Sequence, residues 1–261
     1  MLTTYYWRLA LRLAAPFFYL TGLAGAAWSG QTVETAQLRP GYVEPLFATV
    51  APRLDGVLDD NVWVDAARRP SATAKEFTYR GTDTPLLAQE QTTVYVAYDR
   101  DFLYFGIKCD VKDPASLRSR ILTRDANLWY DDAVEVFLDT FQDQKSAYYF
   151  AVNPRNVQMD GYFSEEGEVE NRNWDGIWYS ATRINDDSWT AELKIPFRSI
   201  RFDPGADEWG VNFVRFHRSS GDQTVWVDMG ENLLRVSRFG AMAAPAKKDE
   251  SVAVDIQPYV S

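Results

Sequence analysis

The 261-residue chain is 46% hydrophobic, 15% aromatic and 25% charged, with a net charge of −10, one cysteine and one histidine. Its apolar content excludes a disordered chain, the lone cysteine excludes an internal disulfide, and the same scarcity excludes zinc or copper centres built from thiolate and imidazole. The acidic balance argues against nucleic acid as a partner, since phosphate contact needs a cationic surface, whereas an oxygen-liganded hard ion such as calcium stays open.

Residues 1–30 have the order of a secretory leader: Arg8 and Arg12 without an acid, the uncharged run Leu13–Ala27, then small residues at Ala24–Ala26 and Ala27–Ser29. The alternative is an uncleaved anchor, but the run is shorter than the ~20 apolar residues of a spanning helix and Pro16 interrupts it. Removing it takes two arginines and no acid, leaving 25 basic against 37 acidic residues, a net −12. The expected location is therefore outside the cytoplasm, in the periplasm. With no disulfide available, such a protein must be stabilised by its core.

A polar lead-in over 31–48 precedes a chain whose period is two rather than 3.6. Asp59–Arg68 is the one short helical signal. Thr93–Tyr98 and Phe102–Ile107 flank Asp99-Arg100-Asp101 and read as a hairpin, followed by strands at Ala133–Leu138 and Tyr148–Val152. Trp178–Ile184 and Trp189–Ile195 flank the turn Asn185–Ser188. In the second of these, Trp189, Ala191, Leu193 and Ile195 share one face, and Thr190, Glu192 and Lys194 share the other, which is expected to be wet. Trp209–Phe216 and Thr224–Val227 complete the series. The expected fold is all-β, a two-sheet antiparallel β-sandwich over residues 49–242 with at most one or two short helices. Residues 243–261 read as a linker and the alternating start of a further, truncated C-terminal domain.

Several stretches together resemble the family 9 carbohydrate-binding module. They are Arg53–Asp60 with Trp63, Thr93-Val94 with Tyr98-Asp99, Leu103-Tyr104, Trp129–Asp139, and Trp189–Glu192 with Ile195–Phe197. A narrower similarity is to outer-membrane proteins of unknown function that carry such a module before a C-terminal β-barrel. It rests on Tyr149–Pro154, Asp160, Trp174–Trp178, Trp209–Arg215 and Pro258–Val260. The resemblance implies a β-sandwich, binding of an oligo- or polysaccharide, often bound calcium, and a link to carbohydrate catabolism.

Sugar recognition needs a flat aromatic for the C–H face of a pyranose and planar or charged partners for its hydroxyls. The family places a stacking tryptophan and, six residues on, a hydroxyl-binding acid, a spacing that Trp129 and Glu135 keep. Glu135 lies opposite Val134, Val136 and Leu138, so it must be paired or line a polar groove. Asn153 and Asn212 offer amides, and Arg155 and Arg215 offer guanidinium forks. The family's second stacking tryptophan falls where this chain has Arg215, so Trp174 or Trp178 would have to replace it. Asn212 and Arg215 have opposite parity and meet in one pocket only if their strand bulges or ends. The plainer readings are a structural pair between Glu135 and Arg155 or Arg215, and core positions for Trp63, Trp178, Trp189 and Trp209.

Calcium would require oxygen clusters, and Asp55, Asp59 and Asp60, or Asp99, Asp101 and Asp110, are the candidates. Asp131 and Asp132 are adjacent and cannot face each other across a cleft as glycosidase carboxyls do. Three functional readings follow: a non-catalytic carbohydrate-binding module, a structural or docking domain of an outer-membrane barrel, and a glycoside hydrolase.

Overall fold

A computed structural model describes residue 39 and residues 41–245. The expected leader over 1–30 and the alternating run near the C-terminus lie outside these residues. In chain order the elements are β1 (Tyr42–Val43), β2 (Leu46–Phe47), α1 (Asn61–Ala67), β3 (Thr73–Ala74), β4 (Thr78–Tyr79), β5 (Thr92–Tyr98), β6 (Phe102–Asp110), β7 (Ala133–Asp139) and β8 (Ala147–Val152). They continue with β9 (Gln158–Ser164), β10 (Val169–Asn171), β11 (Tyr179–Ile184), β12 (Ser188–Pro196), β13 (Glu208–His217), β14 (Asp222–Val225) and β15 (Gly240–Ala243).

The strands form two sheets. The larger runs β1-β15-β13-β7-β8-β9-β10, and the smaller runs β11-β12-β6-β5-β2 with β3 against β5. β15 pairs with the first half of β13 and β14 with the second half, so two short strands share one edge of it. β4 then pairs with β14. Pairing is antiparallel except for β1 with β15 and β2 with β5.

Side-chain alternation sends one set of residues from each sheet between the sheets. Val134, Val136 and Leu138 of β7 and Trp209, Val211 and Phe213 of β13 pack there, with Phe105 and Ile107 of β6 and Trp189, Leu193 and Ile195 of β12 in the same cluster. Burial of each such side chain contributes roughly 1.5–3 kcal/mol, which is how a sandwich without a disulfide is stabilised.

The larger sheet is also covered on its other face, and all seven residues of β7 are buried. Ala133, Phe137, Tyr149, Met159, Phe163, Val214 and Phe216 pack there against Leu128, Met229 and Val236 from the connecting segments. The smaller sheet's second face is partly covered by α1 through Val62, Trp63 and Ala66. The wet face expected for β12 is therefore wrong at Thr190 and Glu192, which are buried, 7% and 1% exposed. Glu192 is tolerated because its Oε1 accepts the Trp63 indole N–H at 2.8 Å and its Oε2 accepts the N–H groups of Asp55 and Gly56 at 2.9 and 2.8 Å. Gly56 has φ +80°, and an added Cβ would lie 2.7 Å from the Thr182 carbonyl carbon, so this turn closes only with glycine.

Trp63, Trp178, Trp189 and Trp209 are all buried, 0–3% exposed. β9 and β10 have no counterpart in the sequence pattern: Asp160 and Gly161 interrupt the first, and the second is a short polar segment with no period to read.

Candidate functional site

The outer face of the larger sheet carries one acid at the centre of its strands. Glu135 sits between Val214 of β13 and Ala151 of β8, both apolar, and is fully buried. The segment before β7 forms a 3-10 turn, Leu128–Tyr130, capped by Asn127, whose Oδ1 accepts the Trp129 N–H at 3.1 Å. This turn lays the Trp129 indole toward the strand, where its Nε1 donates to Glu135 Oε2 at 3.3 Å. Glu135 Oε1 has no partner.

Burial pushes the Glu135 carboxyl up to about 8, and the nearby Glu170 adds to the rise, while the Trp129 N–H and Arg172 oppose it. Near neutral pH the group is mainly a neutral carboxylic acid, with one O–H to donate and lone pairs to accept. Around it, the Tyr149 hydroxyl and Arg172 Nε both donate to Glu170 Oε1, at 3.0 and 2.9 Å. The Arg172 guanidinium lies over the Trp129 ring at 5.2 Å, and Phe216 stacks with that ring at 6.2 Å and 23°. Tyr149 crosses β9 at Gly161, where an added Cβ would lie 2.3 Å from the tyrosine oxygen.

The remaining sequence candidates go elsewhere. β13 stays in regular register with β7 from Gly210 opposite Asp139 to Phe216 opposite Ala133, without a bulge. Arg215 consequently points between the sheets, away from Glu135. It is 1% exposed, and its guanidinium donates to the carbonyls of Asp110 at 2.8 Å, Gln91 at 3.3 Å and Glu90 at 3.5 Å. Asn212 shares the outward parity of Glu135, but its amide is bound to Val227 and to the Phe213 N–H. Asn153 is fully buried, accepts the N–H groups of Arg155 and Val157, and donates to Ile121 O and Asp131 Oδ2. Trp174 packs on Tyr148 and Phe150 at 4.8 and 5.9 Å. Arg155 lines a cleft beyond the strand ends with Arg118 and Arg120. Glu135 pairs with neither Arg155 nor Arg215.

The acids expected to gather calcium do not form a cage. Asp59 and Asp60 hold the Arg53 guanidinium at 2.7 and 3.2 Å, with Asp55 at 3.8 Å, so a side-chain cation occupies the centre of that group. Asp99 accepts the N–H groups of Asp101 and Phe102 and the Tyr104 hydroxyl at one end of β6. Asp110 pairs with Lys108 at the other end of this nine-residue strand, eight residues on from Phe102. Among the described residues, no group of three or more His, Cys, Asp or Glu is arranged to hold a metal ion. Asp131 and Asp132 accept backbone N–H groups of residues 118, 120, 121 and 218 instead of facing a cleft.

The sequence did not reveal Tyr149, Glu170, Arg172 and Phe216 as neighbours of Glu135. Even parity in β13 with Val214 was the available signal for Phe216. Nothing in the polar stretch around β10 marked Glu170 or Arg172.

The family profile described as "Carbohydrate family 9 binding domain-like" matches residues 54–242, more than half of the chain. The chain belongs to this family. No curated protein matches it. Among solved structures it is similar to a family 9 module from Caldicellulosiruptor kristjanssonii in complex with cellotriose, at 19% identity and TM-score 0.57, covering 83% of this chain and 100% of that one. The same organism's module in complex with glucose gives 18% identity and TM-score 0.57, over 81% and 99%. A protein from Bacteroides uniformis, provisionally assigned as carbohydrate-binding, gives 15% identity and TM-score 0.58, over 77% and 97%. These similarities show the family 9 sandwich fold.

Proposed function

We propose that this family 9 domain binds a saccharide at Trp129 and Glu135. One observation carries the reading: among the described residues, Glu135 Oε1 is the buried carboxyl oxygen left without a partner. The contrast with Glu192 is direct. Both acids sit on an outer sheet face beneath a tryptophan indole, yet Glu192 has three donors and Glu135 has one. Leaving a buried polar oxygen unmet costs about 1–3 kcal/mol, and a sugar hydroxyl would remove that cost. The neutral acid can accept from one hydroxyl and donate to another. Trp129 supplies a half-buried ring for the pyranose face, and the incoming sugar displaces the exposed Arg172 guanidinium, which is then free to bond ring-edge hydroxyls together with Glu170. The neighbours solved with cellotriose and glucose support β-linked or terminal glucose as the first ligands to try.

Calorimetry or chemical-shift titration against a glycan panel tests this. Affinities of roughly millimolar to micromolar are expected, about −4 to −8 kcal/mol. Trp129→Ala should weaken binding at least tenfold while circular dichroism shows the fold retained. No binding to any glycan, or binding untouched in that variant, would overturn the reading. The leader-like order of residues 1–30 supports export, and cleavage of that segment in a secreting host tests it.

A further inference from the structure

Beyond the strand ends, a cleft of about 430 Å³ is lined by Arg118, Arg120 and Arg155 together with Ser116, Ser119 and Ser219. Three arginines lining one cleft stand out in a chain of net charge −10. Among the described residues, no carboxylate lies at ion-pairing distance from any of the three. The Ser119 hydroxyl in the same wall is also without a partner.

The backbone beneath these arginines is tightly held. Asp132 Oδ2 accepts the Arg118 N–H at 2.7 Å, and Asp131 Oδ1 accepts the Arg120 N–H at 3.0 Å. Asn153 Oδ1 accepts the Arg155 N–H at 3.0 Å, and its Nδ2 donates to Asp131 Oδ2 at 3.1 Å. Asp132 Oδ1 also accepts the Arg218 N–H next to Ser219, at 3.3 Å. Two buried acids and one amide thus tie three separate loops into one wall. Because both carboxylates are turned into backbone N–H groups, they leave the guanidiniums outside unneutralised. Like charges held together repel, and an oxyanion placed among them relieves the repulsion while accepting the planar forks of arginine. The wall continues directly from the Trp129 turn, since Asp131 follows Tyr130 in the chain.

We propose that this cleft is an anion subsite that takes a carboxylate or sulfate group carried by a saccharide. The oxyanion chemistry stands on the arginines alone; the saccharide as its carrier rests on the carbohydrate reading given above. A chain using both places would hold an acidic glycan with a sugar ring near Trp129 and a charged group among Arg118, Arg120 and Arg155.

The test is calorimetric titration of the full chain with trigalacturonate, with inorganic sulfate and with uncharged cellotriose, at low and at raised sodium chloride. The variant is Arg118→Gln combined with Arg120→Gln and Arg155→Gln, which alters only exposed side chains. Trigalacturonate binding is expected, weakened at least tenfold in the triple variant and weakened by salt, with cellotriose affinity unchanged. Arginine-dependent binding of sulfate without trigalacturonate retains the anion site and makes the free oxyanion its source. Arginine-dependent anion binding in a protein that ignores cellotriose removes the neutral-glycan reading and leaves this site standing. If neither anion binds, or if the triple variant binds them as the parent does, the proposal is overturned.

Discussion

The Trp129 indole donates to one oxygen of Glu135 at 3.3 Å, and the other oxygen of the same buried carboxyl has no partner. The pair therefore stabilises the turn before β7 incompletely. Glu135→Leu leaves only the Trp129 N–H unmet and removes a carboxyl that is costly to bury. Glu192→Leu, by contrast, orphans the Trp63 N–H and two backbone N–H groups. Urea denaturation should show Glu192→Leu destabilising by about 3–5 kcal/mol and Glu135→Leu by less than ~1 kcal/mol. Equal losses would mean that Glu135 is as structural as Glu192.

The pH dependence of Glu135 follows from its direction of shift. Its folded value of about 8 lies above the ordinary 4.5, so between these values the folded state holds a proton that the unfolded chain has lost. The stabilising contribution is full below pH 4.5, falls as pH rises, and is gone above about pH 8. Glu135→Gln, which mimics the neutral acid, should gain ~2 kcal/mol or more relative to the parent between pH 5 and pH 9. Parallel stability curves for the two proteins would refute the shift.

His217 acts on the acid side. Burial, with Arg215 beside it, lowers its value from 6.5 to about 3, so its 3.5 Å contact with Glu90 is made by a neutral ring. Below pH 6.5 the unfolded chain takes up a proton that the folded state refuses, and stability falls until about pH 3. His217→Asn should flatten the loss between pH 6.5 and pH 4 measured by thermal unfolding. An unchanged slope would assign acid sensitivity to other groups.

Arg215 bridges the two sheets through three carbonyls of the opposing side. Arg215→Ala removes the guanidinium donors from these carbonyls, of which Gln91 O keeps the Asp110 N–H at 2.9 Å, and opens a void, at a cost of about 3–5 kcal/mol. Glycan affinity of the folded fraction should stay within twofold, because the side chain faces away from Glu135. A large affinity loss at unchanged stability would return Arg215 to the binding site.

Gly161→Ala places a methyl 2.3 Å from the Tyr149 oxygen. The tyrosine must move off β9 and release Glu170, costing about 1–3 kcal/mol in chemical denaturation. Tyr149→Phe in the same background should recover little of that loss, since ring carbons of residue 149 still lie 2.4 and 2.7 Å from the methyl.

How much of this was legible in the sequence can be followed residue by residue. A period of two is a local property of the chain, so the hairpin around residues 99–101, the inward row of Trp189, Ala191, Leu193 and Ile195, and the sandwich itself were readable without coordinates. The parity conflict between Asn212 and Arg215 was equally local, and the regular register of β13 resolves it by turning Arg215 inward. Coverage of a sheet's second face is not local. It depends on α1 and on the segments around residues 128, 229 and 236 folding back over strands far away in sequence. That is why Thr190 and Glu192, read as wet, are buried, and why Glu170 and Arg172 reach Glu135 unannounced. The Asp55, Asp59 and Asp60 group shows the same division: the acids are visible as a cluster, but only folding shows that Arg53 occupies its centre. Alternation determined which residues share a face; the packing of distant segments decided what lies over each face, because burial and hydrogen-bond partners are set by neighbours in space.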